Sequence, residues 1–276
     1  MDEGQKKMFL ERLELDFAFE IKELSRVRVN LFKQHRGIAA VFRVIPNNIP
    51  TISELALPEV ITELCSLKNG LVLVIGPTGS GKSSTLASMI DHINHSRNDH
   101  IITIEDPIEF IHTGNTCLIN QRELHSNTLD LNGSLKIALR SDPDVIMIGE
   151  LRDLETMRLA ITAAETGHLV FGTLHTSSAA KTINRIIDMF PGNQQSMIRS
   201  MVSNSLKAVI SQTLVPKPQS GRVAALEIMK CNHAISNLIR EDKIAQIYSV
   251  IQTSKSEGMQ TMEQHLEELK SQGLIG

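Results

Sequence analysis

The pattern of hydrophobic positions changes near residue 50, from alternation to continuous apolar runs. Before this point, residues 2–13 have helical spacing, and three segments alternate apolar with polar side chains as half-buried strands do. The alternating segments are 15–21, 26–32 and 38–45. The pattern predicts an N-terminal domain over residues 1–46 that combines helix with strand.

The end of this domain is marked by the stretch "PNNIPT", residues 46–51, which contains two prolines and two asparagines. Both residue types favour turns and loops over helices and sheets. We therefore predict a linker at residues 47–51 and a second, larger domain over residues 52–276.

The larger domain alternates continuous apolar runs with segments of helical spacing. The predicted strands are 70–76, 100–105, 145–149 and 168–175. The predicted helices are 52–67, 82–95, 131–142 and 154–167. Apolar strands that are separated by helices indicate an α/β domain with a parallel sheet covered on both faces. From about residue 193 the chain is predicted to be mainly helical, apart from a strand at 222–229.

Composition narrows the classes of protein that fit this pattern. The chain has 276 residues, 41% of them hydrophobic, with a net charge of −3 and a sequence pI of about 6.4. This charge disfavours a nucleic-acid binder, which usually carries a basic field. The three cysteines are widely spaced, and no run reaches the roughly 18 apolar residues that a membrane span needs. We expect a cytoplasmic protein with no nucleic-acid partner and no direct membrane span.

The segment "GPTGSGKS", residues 76–83, fits the pattern G-x-x-x-x-G-K-[ST] of a phosphate-binding loop. Glycines let backbone N–H groups turn toward a phosphate, Lys82 supplies a positive charge, and the Ser83 hydroxyl is a ligand for Mg²⁺. A predicted strand precedes the loop and a predicted helix follows it, as this mechanism requires. The predicted nucleotide-binding residues are Gly76, Pro77, Thr78, Gly79, Ser80, Gly81, Lys82, Ser83 and Ser84.

Two acidic residues follow buried strands of the same domain. Glu105 ends one strand. In "DVIMIGELRD" the second strand ends at Gly149, the position at which phosphate-loop proteins usually have a metal-binding Asp, and the acid Glu150 comes one residue later. The carboxyl ends of parallel strands face one crevice, so both acids are expected near the phosphate loop. One can orient or deprotonate the attacking water and the other can support Mg²⁺, while capping of the following helix is the alternative for each.

Two histidines stand at opposite ends of the predicted strand 168–175. His175 is expected on the crevice side, where it is suited to contact a γ-phosphate beside the hydroxyls of Thr173 and Thr176. His168 begins the strand at the other end, and a role as a cap residue is the alternative there.

Taken together, the segments "GPTGSGKS", "TIEDPIEF", "GELRD", "TAAETGHLVFGTLHT" and "NLIRED" resemble the secretion and pilus-motor ATPases. Within that superfamily the sequence is most similar to the type IV pilus retraction ATPases of the PilT family. The resemblance runs from about residue 12 almost to the C-terminus. These motifs are far more specific together than the phosphate loop alone.

The resemblance implies a RecA-like core with a parallel sheet, a partial α+β, PAS-like N-terminal domain and a helical C-terminal region. It implies a homohexamer that binds ATP and Mg²⁺ at subunit interfaces. It also implies a motor for pilus retraction and twitching motility that acts on an inner-membrane pilus platform protein, with a paralogous pilus ATPase as a further partner. Such a protein is cytoplasmic and peripheral at the inner-membrane base of the pilus machine.

The resemblance also implies roles for individual residues. Glu105, in "TIEDPIEF", corresponds to the catalytic base, and Glu150, in "GELRD", acts on the Mg²⁺ side. His168 and His175 belong to the segment that resembles the His box of the family.

The N-terminal part of the resemblance concerns arginines. The segments "RVRVN" and "AVFR" resemble those that bring arginines to the γ-phosphate, here Arg28 and Arg43, and a solvated strand residue is the alternative for each. Two features depart from the family. Ser236 stands where the retraction motif AIRNLIRE has an arginine. The resemblance covers only the later part of the family's N-terminal domain, and an incomplete sheet in that domain is expected to impair hexamer stability.

Three other functions are compatible with the sequence. A motor that assembles a pilus or drives type II secretion often carries a four-cysteine zinc insert, which this sequence lacks. A nucleic-acid translocase would be stimulated by DNA, although the acidic pI and the 3% aromatic content disfavour it. A nucleotide-binding regulator would bind ATP without cleaving it.

We predict that Lys82→Ala abolishes ATP turnover, because the loop loses the charge that contacts the β- and γ-phosphates. Phosphate release by the purified chain measures this. Turnover at the parent rate would mean that the loop is not the site of hydrolysis.

Overall fold

A computed structural model gives the arrangement of most of the chain. The residues that it describes are 1–21, 25–45 and 48–276. The chain divides into two compact units, which consist of residues 1–49 with 109–111 and of residues 50–108 with 112–276. Residue 47, the first of the predicted linker, lies outside the described residues.

The first unit contains one helix and one antiparallel sheet. Its elements are α1 (Glu3–Arg12), β1 (Glu14–Ile21), β2 (Ser25–Gln34) and β3 (Gly37–Ile45). The strands are ordered β1-β2-β3, and neighbouring strands are antiparallel. Asp2 accepts a hydrogen bond of 2.7 Å from the Gln5 N–H, and the Gln5 side chain accepts one of 3.0 Å from the Asp2 N–H. This reciprocal cap explains why the helix begins where it does. The predicted combination of helix and strand is confirmed.

The second unit is built on a seven-stranded sheet ordered β10-β9-β4-β8-β7-β5-β6. Its strands are β4 (Gly70–Ile75), β5 (His100–Glu105), β6 (Leu118–Glu123), β7 (Val145–Ile148), β8 (Leu169–Leu174), β9 (Leu206–Pro216) and β10 (Arg222–Lys230). All neighbouring pairs are parallel except β9 with β10. The prediction of an α/β domain with a parallel sheet is confirmed.

Helices cover both faces of this sheet, and each face has its own apolar core. The helices are α2 (Val60–Cys65), α3 (Lys82–Ser96), α4 (Leu131–Ala138), α5 (Leu154–Glu165), α6 (Ala179–Asp188), α7 (Gly192–Ser205), α8 (His233–Arg240), α9 (Ile247–Thr253) and α10 (Met262–Ser271). Val72 and Val74 of β4 pack with α2 and α3, whereas Leu71, Leu73 and Ile75 pack with helices that include α5 and α6. Because every residue of β4 is buried, its sequence has no polar alternation.

One helix is much shorter than its sequence pattern predicts. Residues 52–67 have helical spacing, but only Val60–Cys65 forms α2, and residues 52–56 form turns. Pro58 disfavours helical backbone at the residue before it and lacks the N–H that would continue a helix. Ala56 has a φ of 52°, a left-handed conformation that is incompatible with a continuous helix.

Two strands were not predicted from the sequence. β6 lies at the edge of the sheet, and its sequence "LINQRE" is mostly polar, so it has no apolar run. β9 falls in the region that was predicted to be mainly helical, where the helix α7 ends at Ser205 and an eleven-residue strand follows. This strand forms because it fits between β4 and β10, which is a tertiary pairing that local spacing does not reveal.

Two histidines of the second unit are buried and have lowered pKa values. Burial lowers the pKa of His112 to about 4, and burial also lowers the pKa of His265. His265 Nδ1 accepts a hydrogen bond of 2.9 Å from the Leu226 N–H, so this nitrogen carries no proton. Both imidazoles therefore bind a proton more readily in the unfolded chain than in the folded one.

We predict that the free energy of unfolding decreases as the pH falls from about 6.5 toward 4, because protons then bind preferentially to the unfolded chain. His112→Phe keeps a ring at this position but removes the titration, so it should reduce the decrease. Urea unfolding at a series of pH values measures it, with His233→Phe at an exposed helix position as the matched control. An identical pH dependence in the parent and His112→Phe would contradict the prediction.

Candidate functional site

The phosphate loop, residues 76–81, connects the carboxyl end of β4 to α3. Gly76, Gly79 and Gly81 have φ values of 144°, 79° and 89°, which favour glycine over residues with a Cβ atom. The helix begins at Lys82, and among the described residues no side chain caps its first turn. The N–H groups at this helix end are therefore arranged to bind an anion.

Lys82 is folded back over the phosphate loop. Its Nζ atom donates hydrogen bonds to two loop carbonyls, Gly76 O at 2.8 Å and Pro77 O at 2.9 Å. Ser83 is exposed in the first turn of α3, and Ser84 beside it is partly buried. A positive charge and a hydroxyl thus accompany the uncapped N–H groups at one helix end.

Glu105 ends β5 and is only 8% exposed. Its Oε1 atom accepts a hydrogen bond of 2.6 Å from the Thr103 hydroxyl and one of 3.2 Å from Gln121 Nε2. Gln121 lies on β6, and its own Oε1 atom accepts the His112 N–H at 2.8 Å. Two donors therefore fix the orientation of the carboxylate, as a general base requires.

Glu150 follows β7, and its carboxylate contacts nitrogen atoms of two side chains. Its Oε1 atom lies 3.0 Å from Nε2 of His175, the residue after β8, and its Oε2 atom accepts a hydrogen bond of 2.6 Å from Arg152 Nε. Arg152 also donates from Nη1 to Asp106 Oδ2 at 3.2 Å. The hydrogen bond to Glu150 raises the pKa of Arg152, which keeps its guanidinium charged. The structure thus brings the predicted site residues Glu150 and His175 together.

Gly149 explains why the acid of this strand stands one position late. A Cβ atom at Gly149 would lie 3.3 Å from Glu105 Cα, which is tighter than most such contacts, and 3.4 Å from Ile104 O. The Gly149 N–H donates to Ile104 O at 2.8 Å, and the Thr173 hydroxyl donates to Gly149 O. Glycine therefore lets the end of β7 approach the end of β5 that carries Glu105, and the second acid, Glu150, comes at the next residue.

His168 lies away from this crevice. It stands before β8, and the strand Leu169–Leu174 separates it from His175 by about 20 Å. Its Nδ1 atom lies 3.0 Å from Ala163 O and 3.4 Å from the Thr166 hydroxyl, at the end of α5. These contacts fit the alternative of a cap residue, and a part of His168 in the reaction stays a prediction.

Arg28 and Arg43 belong to the first unit, where they are direct partners across β2 and β3. Arg28 forms an ion pair with Asp16, with 2.6 Å between Nη2 and Oδ2. Arg43 is exposed on β3. Because paired residues of neighbouring strands point the same way, the two guanidinium groups lie on one face of that sheet.

Three residues of the site were not identified from the sequence: Thr103, Gln121 and Arg152. Arg152 stands in the motif "GELRD", and its charge beside the acid was a usable signal. Thr103 precedes Glu105 by two residues on one strand, so the two side chains share a face. Gln121 has no local signal, because only the sheet brings β6 beside β5.

Ser83 and Glu150 fit a role as partners of Mg²⁺. A hydroxyl and a carboxylate are oxygen donors, which Mg²⁺ prefers, and an ion that arrives with a nucleotide keeps several waters and phosphate oxygens. Both carboxylate oxygens of Glu150 already have a nitrogen partner, Arg152 Nε at 2.6 Å and His175 Nε2 at 3.0 Å, which favours contact through a water of the Mg²⁺ shell over direct coordination.

A mostly parallel sheet with a phosphate loop and two carboxylates at adjacent strand ends defines a P-loop ATPase of the RecA-like class. The chain belongs to the family described as type II/IV secretion system protein, whose sequence profile matches residues 12–221. The resemblance to the PilT family is confirmed by the relatives and the solved structure described next. No helix among the described residues is both long and apolar enough to cross a membrane.

Among the relatives that match 100% of this chain are two whose names refer to pilus retraction or twitching motility. The chain is 58% identical over 275 residues to the type IV pilus retractation ATPase PilT of Pseudomonas aeruginosa, a match that covers 100% of this chain and 80% of the relative. It is 55% identical over 276 residues to a twitching motility protein of Neisseria gonorrhoeae, covering 100% of this chain and 74% of the relative. A crystal structure of the pilus retraction motor PilT with bound ADP has a TM-score of 0.94 at 50% identity, covering 100% of this chain and 79% of that one.

We predict that Gly149→Asp, which puts an acid at the usual position, lowers ATP turnover by about tenfold or more. The new side chain presses on the backbone of Glu105 and displaces its carboxylate. The turnover number at saturating ATP measures the effect. Gly192→Asp is the matched control, since a Cβ atom there meets nothing within 4 Å, and it should keep the parent rate. Parent-like turnover of Gly149→Asp would refute this explanation of the displaced acid.

Proposed function

We propose that this chain is an ATP-hydrolysing motor that powers retraction of a type IV pilus, and thereby twitching motility. The observation that carries the proposal is that the phosphate loop, Glu105, Glu150 and His175 converge at the carboxyl ends of four adjacent parallel strands. The high identity to a retractation ATPase and to a twitching motility protein favours retraction over assembly.

The phosphate loop holds the nucleotide. N–H groups of the loop and of the α3 end bind the β-phosphate, and Lys82 balances the charge of the β- and γ-phosphates. The Ser83 hydroxyl, and Glu150 through a water, would hold the Mg²⁺ that accompanies ATP. A bound Mg²⁺ would supply positive charge beside the transferring phosphoryl group.

Glu105 orients the attacking water and takes its proton. Its carboxylate is fixed by Thr103 and Gln121 and is shielded from bulk solvent, so it can act on a single water. The oxygen of that water attacks the γ-phosphorus while its proton passes to Glu105. The bond from phosphorus to the bridging oxygen breaks, and ADP and phosphate are the products.

His175 responds to the presence of the γ-phosphate. Its Nε2 atom lies 3.0 Å from Glu150 Oε1, so a change of charge beside either residue alters this contact between the ends of β7 and β8. The helix α6 begins at Ala179, four residues after His175, and is the next element along the chain to receive such a change.

Arg28 and Arg43 stabilise the charge on the transferring phosphoryl group in the assembled enzyme. Their position on one face of the first unit's sheet would allow both guanidinium groups to bind one anion. The ion pair of Arg28 with Asp16 restricts its side chain and so lowers the entropy lost when it binds.

The working assembly that we propose is a homohexamer with ATP at the subunit interfaces. Its partner is an inner-membrane pilus platform protein, and a paralogous pilus ATPase acts beside it. The motor is therefore placed in the cytoplasm, peripheral to the inner membrane at the base of the pilus machine.

We predict that Glu105→Gln binds ATP with the parent affinity but hydrolyses it about 10²- to 10⁴-fold more slowly, because the amide cannot accept the proton of the water. Nucleotide displacement measures the affinity, and phosphate release measures the rate. Glu165→Gln, at an exposed position at the end of α5, is the matched control and should turn over at the parent rate. Full turnover by Glu105→Gln would remove it from the role of base.

Pilus retraction in cells tests the motor function. In a strain that lacks the gene, the parent chain should restore retraction events and twitching, whereas Glu105→Gln should not. If the deletion strain instead lost its surface pili, an assembly ATPase would be indicated. ATP binding without any cleavage by the purified parent would indicate a regulator.

A further inference from the structure

The strand β9, which runs beside β4, carries a buried glutamine at the phosphate loop. Gln212 is 3% exposed, and its side chain makes two hydrogen bonds of 2.8 Å. Its Oε1 atom accepts the Thr85 hydroxyl in the first turns of α3, and its Nε2 atom donates to the Ser80 carbonyl within the loop. One side chain thus joins the loop and the following helix to a neighbouring strand.

The loop is also in close contact with Gln212 at two of its glycines. A Cβ atom at Gly76 would lie 2.2 Å from the backbone oxygen of Gln212, and one at Gly81 would lie 2.8 Å from its Nε2 atom. Both glycines are therefore needed for this approach as well as for their positive φ values. The first and the last glycine of the loop both pack against the same residue of β9.

We propose that Gln212 is a positioning residue that holds the phosphate loop in the conformation that binds nucleotide. The proposal rests on the proposed function in one respect, that residues 76–83 are the nucleotide site. Gln212 acts through the loop and does not itself touch the nucleotide.

The physical reason lies in the two sides of each peptide unit. A peptide whose N–H points toward a phosphate directs its C=O away from it, and a buried carbonyl that lacks a partner costs about 1–3 kcal/mol. Gln212 Nε2 provides a partner for the Ser80 carbonyl, whose peptide unit includes the N–H of Gly81. The hydrogen bond thus stabilises a peptide orientation that presents this N–H to the anion.

The hydrogen bond from Thr85 gives Gln212 a second function. An amide can rotate by half a turn and exchange its oxygen with its nitrogen, and an acceptor–carbonyl contact would then repel Ser80 O. The Thr85 hydroxyl donates to Oε1 at 2.8 Å and so favours the orientation in which Nε2 faces the loop. The side chain is oriented by the helix at one end and orients the loop at the other.

The test compares two variants of Gln212 with one control. Gln212→Met removes both hydrogen bonds at similar volume, and Gln212→Leu removes them with a second uncharged side chain. Gln260→Met is the control, because Gln260 is a partly buried glutamine that donates to a backbone carbonyl, Leu226 O at 3.1 Å, between β10 and the segment before α10. Titration calorimetry with Mg²⁺–ADP gives the dissociation constant, and thermal unfolding without nucleotide gives the change in stability.

We expect the dissociation constant for ADP to rise about tenfold or more in both Gln212 variants, since each leaves the Ser80 carbonyl without its donor. Gln260→Met should lower the melting temperature but leave the dissociation constant within about twofold of the parent. A purely structural role of Gln212 would change the melting temperature alone. If Gln212→Met does not fold, the dissociation constant of Gln212→Leu decides whether Gln212 positions the loop.

Lys82→Ala separates failure of this inference from failure of the proposed function. If Lys82→Ala loses ADP binding while both Gln212 variants bind ADP as the parent does, the positioning role is refuted and the nucleotide site stands. If Lys82→Ala binds ADP with the parent affinity, the phosphate loop is not the nucleotide site, and both proposals are refuted.

Discussion

The parallel hydrogen bonding of β4, β8, β7 and β5 is the constraint on which the site depends. Ile104 pairs with Ile148, Ile148 with Gly172, and Gly172 with Leu73. This register aligns the carboxyl ends of the four strands at one edge of the sheet. A slip of one residue would turn every side chain of a strand into the opposite apolar core. The burial of aliphatic side chains on both faces therefore fixes where the loops that carry the polar groups begin.

The parts of the fold that could be predicted are those that the core determines locally. β4 and β8 are buried at every position, and their apolar runs identify them without further information. β6 and β9 could not be found in this way, because an edge strand needs few apolar residues and β9 is defined by its two neighbours. The predicted length of the helix before β4 was wrong for a local reason, because Pro58 interrupts a spacing of apolar residues that otherwise suits a helix.

The same distinction applies to the site. Glu105 and Glu150 could be predicted because each acid directly follows a buried strand, and strand ends of a parallel sheet share one edge. The residues that hydrogen-bond to the site could not be predicted in this way. Gln121 lies 16 residues from Glu105, and Gln212 lies 127 residues from Thr85, so their contacts exist only in the folded chain. Residues that hold a site in place leave less trace in a sequence than residues that act in it.

Lys82 illustrates how folding prepares a flexible side chain for its ligand. A lysine side chain carries about 2 kcal/mol of rotamer entropy, and here two loop carbonyls hold its ammonium at 2.8 and 2.9 Å. This entropy is lost when the loop folds rather than when a phosphate binds, so it does not reduce the affinity for nucleotide. Conformational order in the loop and affinity for phosphate are therefore coupled. A substitution that makes the loop less ordered weakens phosphate binding even when the substituted residue does not contact the ligand.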